Sequence, residues 1–195
     1  MQQTWEVVMI RALSISVLLF LSPASSLADS LEAVNGHYTI QRSSVIGFHV
    51  GQVGGGGLAG SFAEFAGDFN LNAQNLAKSS VSFTLKPVSV DAKQTRISDF
   101  LRSSAVFDIE HYPVLAFRST KITQTGPLNA RIDGVLTARG KSHGETFFAS
   151  MIGHDEKTVT FHVTGKVLRS PYGMDVGTPI YSNVVDFDMN LLGTK

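Results

Sequence analysis

The sequence predicts an all-β fold: an eight-stranded antiparallel barrel with one short helix between its third and fourth strands. Three observations carry this. Apolar and polar residues alternate over eight segments, the two-residue period of a strand. Turn signals rich in Gly and Pro separate those segments. A single stretch, residues 95–107, departs to helical spacing. The same strand count admits a two-sheet sandwich, but 13 Phe residues, many at alternating positions, favour a closed barrel.

In chain order, Arg11 precedes the apolar run 12–21 and the small residues 24–28, the pattern of a secretory signal peptide cut after Ala28. The run is about ten residues, and a bilayer span needs roughly 20. Residues 1–8 carry Glu6 and no cation, so Met9 makes a cleaner initiator than Met1. The expected division is a removed segment 1–28 and one β-barrel domain over 29–195, a length that suits a single core.

The first strand, 38–50, places Tyr38, Ile40, Ile46, Phe48 and Val50 on one face. In the second, 60–71, Phe62 and the set Phe65, Phe69 and Leu71 differ in parity, which predicts a bulge or bend between Phe62 and Phe65. The third alternates Val81, Phe83 and Leu85 with Ser82, Thr84 and Lys86 until Pro87 interrupts the ladder. In the helix, Ile97, Phe100, Leu101 and Ala105 form the inner face, with Asp99 and Arg102 in water. Strands follow at 114–122, 130–139, 145–153, 158–168 and 184–192.

Composition removes several functions. The chain is neutral, and residues 1–28 hold one acid and one base, so no global field favours nucleic acid or an anionic surface. Cysteine is absent, which excludes disulfides, thiolate metal sites and thiol nucleophiles. The six His residues show neither His-x-His nor His-Glu-x-x-His spacing, so no metal site is expected. Gly54–Gly57 lack a following Gly-Lys-Ser/Thr and fall between strands; they read as a loop at the barrel mouth. There is no Gly-x-Ser-x-Gly elbow. Asp186 and Asp188 share a strand face opposite Val185, Phe187 and Met189, which makes them outward charges rather than an acid–base pair. No catalytic residue is assigned.

Five motifs resemble the YceI-like family: Tyr38-x-Ile40; Gly60-x-Phe62-x-x-Phe65-x-Gly67; Phe107-Asp108-Ile109-x-x-Tyr112-Pro113-x-x-x-Phe117-x-Ser119-Thr120; Gly134-x-Leu136-Thr137-x-Arg139-Gly140; and Arg169-Ser170-x-Tyr172-Gly173-Met174. The resemblance implies a lipocalin-like barrel, exported to the bacterial periplasm, that binds a polyisoprenoid chain in a long hydrophobic tunnel and has no known catalytic role. Ser43-Ser44, Gln52 and Phe100-Leu101 stand where the family usually carries His-Ser, His and His-Leu. These departures remove polar groups and leave the apolar tunnel.

An eight-stranded barrel either fills its interior with side chains or holds one small ligand. The expected lining is Phe48, Phe62, Phe83, Phe117, Phe147, Phe161, Phe187 and Leu101, with Met151 and Met189 as adaptable fillers. Gly134 shares inward parity with Ile132 and Leu136, so a Trp there is expected to plug an open channel. Arg139 and Arg169 are candidates for headgroup contact; an ion pair with a carboxylate such as Asp108 is the commoner use of such an Arg. Tyr112 and Tyr172 are expected to tie barrel corners through their hydroxyls. The function expected is carriage, storage or protection of an isoprenoid or quinone-like lipid. Its partners are that long-chain apolar lipid and at most a second copy of the chain as a homodimer, with no other cofactor. A lipid-modifying barrel enzyme with Arg and His at the mouth, or a ligand-free structural or stress-response module, are the alternatives.

Overall fold

The computed structural model describes residues 30–195, so the segment 1–28 and its cleavage site lie outside the described residues. Eleven strand segments and one α-helix follow in order: β1 (Gly36–Ile40), β2 (Val45–Gly51), β3 (Gly57–Phe62), β4 (Phe65–Leu71), β5 (Ser80–Leu85), β6 (Val90–Asp91), α1 (Thr95–Arg102), β7 (Leu115–Gln124), β8 (Asn129–Ala138), β9 (Lys141–His154), β10 (Thr158–Leu168) and β11 (Val184–Thr194). Pairing runs β1-β4-β5-β7-β8-β9-β10-β11, and a β11–β1 contact at Thr39–Thr194 and Ile40–Gly193 closes an eight-stranded antiparallel barrel.

The first three strands are bent, which accounts for eleven segments in an eight-stranded barrel. β1 and β2 are one strand broken at residues 41–44, with β1 on β4 and β2 on β3. The hydroxyl of buried Ser44 accepts the Leu192 N–H at 2.9 Å, holding this bend against β11. β3 and β4 are likewise one strand broken at Ala63 and Glu64, where the parity of the phenylalanines changes. The third strand breaks at the 3-10 turn Pro87–Ser89, and β6 beyond it pairs with β3. The three bends are neighbours across the sheet, so the wall turns along a row. β5 pairs with β7, but β6 pairs with β3 alone among the described strands. The side of the barrel above that row is filled by α1 instead.

α1 is shorter than the sequence spacing suggests. Ser103 is extended, and its hydroxyl donates to the Phe100 carbonyl at 2.7 Å, ending the helix in place of a further turn. Residues 103–107 form a turn in which the Phe107 N–H reaches the Leu101 carbonyl at 3.0 Å. The inner face differs too: Leu101 is buried, but Phe100 is 47% exposed, Ala105 is exposed, and Ser98 is buried with its hydroxyl accepting the Ala92 N–H. Arg102 anchors α1 by donating to the Val88 and Val90 carbonyls at 2.8 and 2.7 Å. No helix among the described residues is long and apolar enough to cross a membrane.

Among the later strands β7 and β9 each carry a bulge, near Thr120 and Ile152, whereas β10 keeps strict alternation. Along β10, Val159, Phe161, Val163 and Val167 face inward and bury, as the two-residue period requires. Arg139 and Gly140 alone connect β8 to β9, with φ of 48° and 70°. Two positive φ values in a two-residue hairpin are the type I′ geometry, which favours Asn and Gly.

Candidate functional site

Two apolar chambers lie end to end inside the barrel. The lower one encloses about 1060 Å³ of atom-free space, partly open to solvent, and every residue lining it is apolar. Leu31 and Leu76, each on a short 3-10 turn, close its far end. The upper chamber, about 1130 Å³ counted the same way, is roofed by Ile97 and Leu101 of α1, by Val106 and Phe107, and by Met174, Val176 and Tyr181 from the β10–β11 connection. Leu115, Leu136 and Phe187 line both chambers and form the waist between them.

Glycines make this space available. Phe48 is paired with Gly60, Phe83 with Gly67 and Phe147 with Gly165 on neighbouring strands, and Phe117 lies diagonal to Gly134. A methyl group at any of these four glycines would approach the ring to between 2.3 and 2.9 Å. Each ring therefore packs over its neighbour's bare backbone and stays against the wall. A side chain opposite would displace it toward the lumen. Gly134 faces inward as its parity suggests, but it lies beneath the Phe117 ring, with the Arg118 carbonyl equally close. A Trp at this position would collide with the ring and the backbone; it would not enter open space.

Of the residues expected to line a tunnel, Phe83, Phe117, Phe147, Phe161 and Met189 border the lower chamber. Phe48, Phe62 and Leu101 border the upper one, and Phe187 borders both. Met151 is buried but borders neither, because it packs beside Phe161 in the wall near the Leu128 strand entry. Leu31, Leu76, Val106 and Met174 complete the two ends and were not singled out by strand alternation, since all four sit in turns or loops.

Polar groups gather at the upper end. Arg169 is 92% buried, being 8% exposed, and its guanidinium donates to the carbonyls of Met174, Val176, Tyr181 and Ser182. It fixes the shape of the β10–β11 connection from within, and backbone carbonyls accept from four of its five N–H groups. Burial draws its pKa below the ordinary value, with Asp175 opposing. Arg139 donates to the Gly173 carbonyl at 2.7 Å and the Ser104 carbonyl at 3.1 Å, with Asp108 4.0 Å away. Tyr172, fully buried, donates to Glu145 at 2.8 Å and also lines the upper chamber. Burial first, and then Glu145, pushes its phenol well above the ordinary range. The Tyr112 ring stands against Gly140 at the same corner. On the outer wall, Asp186 meets Lys166 at 2.8 Å and Asp188 meets His162 at 3.1 Å.

The rim of the upper chamber is apolar. The Gly-rich loop after β2 docks on the β10–β11 connection through the Val53 N–H to Ile180 carbonyl bond at 2.9 Å and the Gln52–Tyr181 bridge. Val53, Phe100, Val176 and Ile180 stand exposed around this mouth.

A family model described as the YceI-like domain matches residues 38–192. The chain is 27% identical over 186 residues to Protein YceI of Escherichia coli, spanning 91% of this chain and 97% of that protein. Among solved structures, BcnA of Burkholderia cenocepacia superposes with a TM-score of 0.74 at 22% identity, covering 80% of this chain and 99% of that one. A polyisoprenoid binding domain from Saccharophagus degradans, implicated in plant cell wall breakdown, superposes with a TM-score of 0.65 at 11% identity, covering 83% and 99%. At these identities the likeness to the two solved structures is one of fold.

Proposed function

The chain belongs to the YceI-like domain family, and from that premise we propose that it is an exported binding protein that holds a long-chain isoprenoid or quinone-like lipid and carries, stores or shields it. The observation that carries this reading is the pair of adjoining chambers, the lower one bordered by apolar residues alone. Such a space has nothing to offer water. Each methylene moved into it gains about 0.8 kcal/mol. A tail of about twenty carbons then exceeds the roughly 4–15 kcal/mol that association costs. The polyisoprenoid binding described for the Saccharophagus domain is consistent with the same use of the fold. Within this reading, Phe83, Phe117, Phe147, Phe161 and Met189 hold the tail, and Phe48, Phe62 and Leu101 surround the end nearer the mouth. Residues 1–28 direct the chain to the periplasm and are removed.

Binding is favoured over turnover because the polar groups of the upper chamber, Arg169 and Tyr172, are already engaged by carbonyls and Glu145. Native mass spectrometry of the purified mature protein, followed by organic extraction, tests the reading. A copurified lipid, or stoichiometric retention of an added isoprenoid, is the expected result. A protein that is empty and retains none overturns it, as does chemical conversion of the added lipid.

A further inference from the structure

We propose that Arg139 is the latch of the barrel's upper end: one guanidinium joins the two chain segments that roof the upper chamber, and losing it lets them part. The first segment is the turn after α1, whose Val106 and Phe107 border the chamber. The second is the β10–β11 connection, whose Tyr172, Met174 and Val176 border it from across the mouth. Nη2 of Arg139 donates to Ser104 of the first, and Nη1 to Gly173 of the second. Asp108, 4.0 Å from Nη2, adds a carboxylate on the same side as Ser104. The remaining ties of each segment are internal or run to other partners: Arg102 holds α1 to β6, and Arg169 folds the β10–β11 connection upon itself.

The backbone supplies a second, independent observation. Arg139 occupies the first central position of a type I′ hairpin at φ 48°, where Asn or Gly is the favoured residue. A long β-substituted side chain at such a position is disfavoured by its own turn. What the side chain offers lies at its far end, in the two carbonyls that it reaches. At the opposite end of the barrel Leu31 and Leu76 act as apolar plugs, and their segments are tied by a neutral side chain, Asn35, whose amide oxygen accepts the Ala73 N–H at 3.0 Å.

The passage of a lipid through this door rests on the binding reading above; the latch itself does not. The test uses the full mature protein and Arg139→Asn, a change that suits the turn and removes the guanidinium. Hydrogen–deuterium exchange of the lipid-free protein should rise about tenfold at amides of both 103–112 and 173–182, with β8, β9 and β10 unchanged. The melting temperature should hold or increase. Arg139→Lys, which keeps the charge but lacks the fork, should fall between the two. Unchanged exchange in either segment overturns the latch, and so does a uniform rise across the barrel, which would mark Arg139 as a general stabiliser. In parallel, all-trans-retinol loaded into each protein is transferred to phosphatidylcholine vesicles. Transfer about tenfold faster from the variant, at an affinity within about threefold of the wild type, supports the door. Equal transfer rates with the exchange result intact overturn the door while leaving the latch. Failure of the wild type to bind retinol or a longer isoprenoid counts against the binding reading, and the exchange experiment still decides the latch.

Discussion

Phe147 packs over Gly165, its direct partner across β9 and β10, so closely that a methyl group on Gly165 would lie 2.3 Å from the ring's Cδ1. Phe187 flanks the same glycine from β11, with its ring 6.1 Å from that of Phe147. The hollow interior depends on such pairs, because a ring held against the wall leaves the axis of the barrel open.

Gly165→Ala should therefore push the Phe147 ring into the lower chamber. Overpacking of this kind costs about 1–3 kcal/mol. Urea denaturation should show that loss, and lipid capacity should drop with it. Gly153→Ala is the control: it lies on β9 with nothing within 4 Å of an added methyl group and should be close to neutral.

Met151 and Phe187 separate packed wall from cavity lining. Met151 borders neither chamber, and Met151→Ala should cost about 2–5 kcal/mol in the lipid-free protein. Phe187→Ala should cost less than the roughly 3–5 kcal/mol usual for a core Phe, because one side of its ring already faces space. It should also widen the waist and alter which chain lengths bind. Equal losses from the two variants, read by thermal melting, would contradict the assignment.

Arg169→Met leaves the buried Met174 carbonyl and three partly buried carbonyls of the β10–β11 connection without this donor, and a buried unsatisfied group costs about 1–3 kcal/mol. Differential scanning calorimetry should record a large drop in melting temperature. Arg169→Lys should recover little, since an ammonium cannot serve carbonyls spread around a planar fork.

Acid should weaken the fold through particular carboxylates. Asp133 is held below its ordinary value of 3.8 by the Thr146 hydroxyl and by Arg131, and Asp155 by the Thr158 hydroxyl and then the Lys157 and Thr158 N–H groups. A depressed folded value means stability that is present above the unfolded value and lost as pH falls through the folded one. Melting temperature followed below about pH 4 should decline less steeply in Asp133→Asn and Asp155→Asn. His111 has the opposite sign. The hydrogen bond to Asp108 raises it above 6.5, so its contribution is complete below that value and disappears as pH climbs through the raised one. His111→Gln should remove that alkaline-side decline.

N-terminal sequencing of protein recovered from the periplasm should begin at or near Asp29. A mature chain retaining residues 12–21 would refute the signal-peptide reading.

The barrel was legible because its signal is local and repeated. The alternation through Val159, Phe161 and Val163, or through Tyr38 and Ile40, follows from the pleat alone, and the parity change between Phe62 and Phe65 marks a bend that exists. Inward parity also identified nearly all of the chamber walls. It could not distinguish Met151 from Met189, because both point inward and only the path of neighbouring strands decides which one meets space. The ends of the tunnel were less legible still. Leu31, Leu76, Val106 and Met174 act through turns, where no period operates, and Phe100 follows helical spacing yet sits at the rim, bordering the upper chamber while 47% exposed. Family motifs supplied what periodicity lacked at the mouth: Asp108, Arg139, Gly173 and Arg169 come from three separate motifs and meet in one corner.

A barrel built around retained space has an unusual relation to volume. Unfolding collapses internal voids into solvent, and hydrostatic pressure favours whichever state occupies less volume. The empty form of this protein, with two chambers to surrender, is thus the compressible one, and filling them with a hydrocarbon chain makes the molecule mechanically denser without altering a single strand. Its pressure of unfolding becomes a gauge of occupancy, readable from the protein alone.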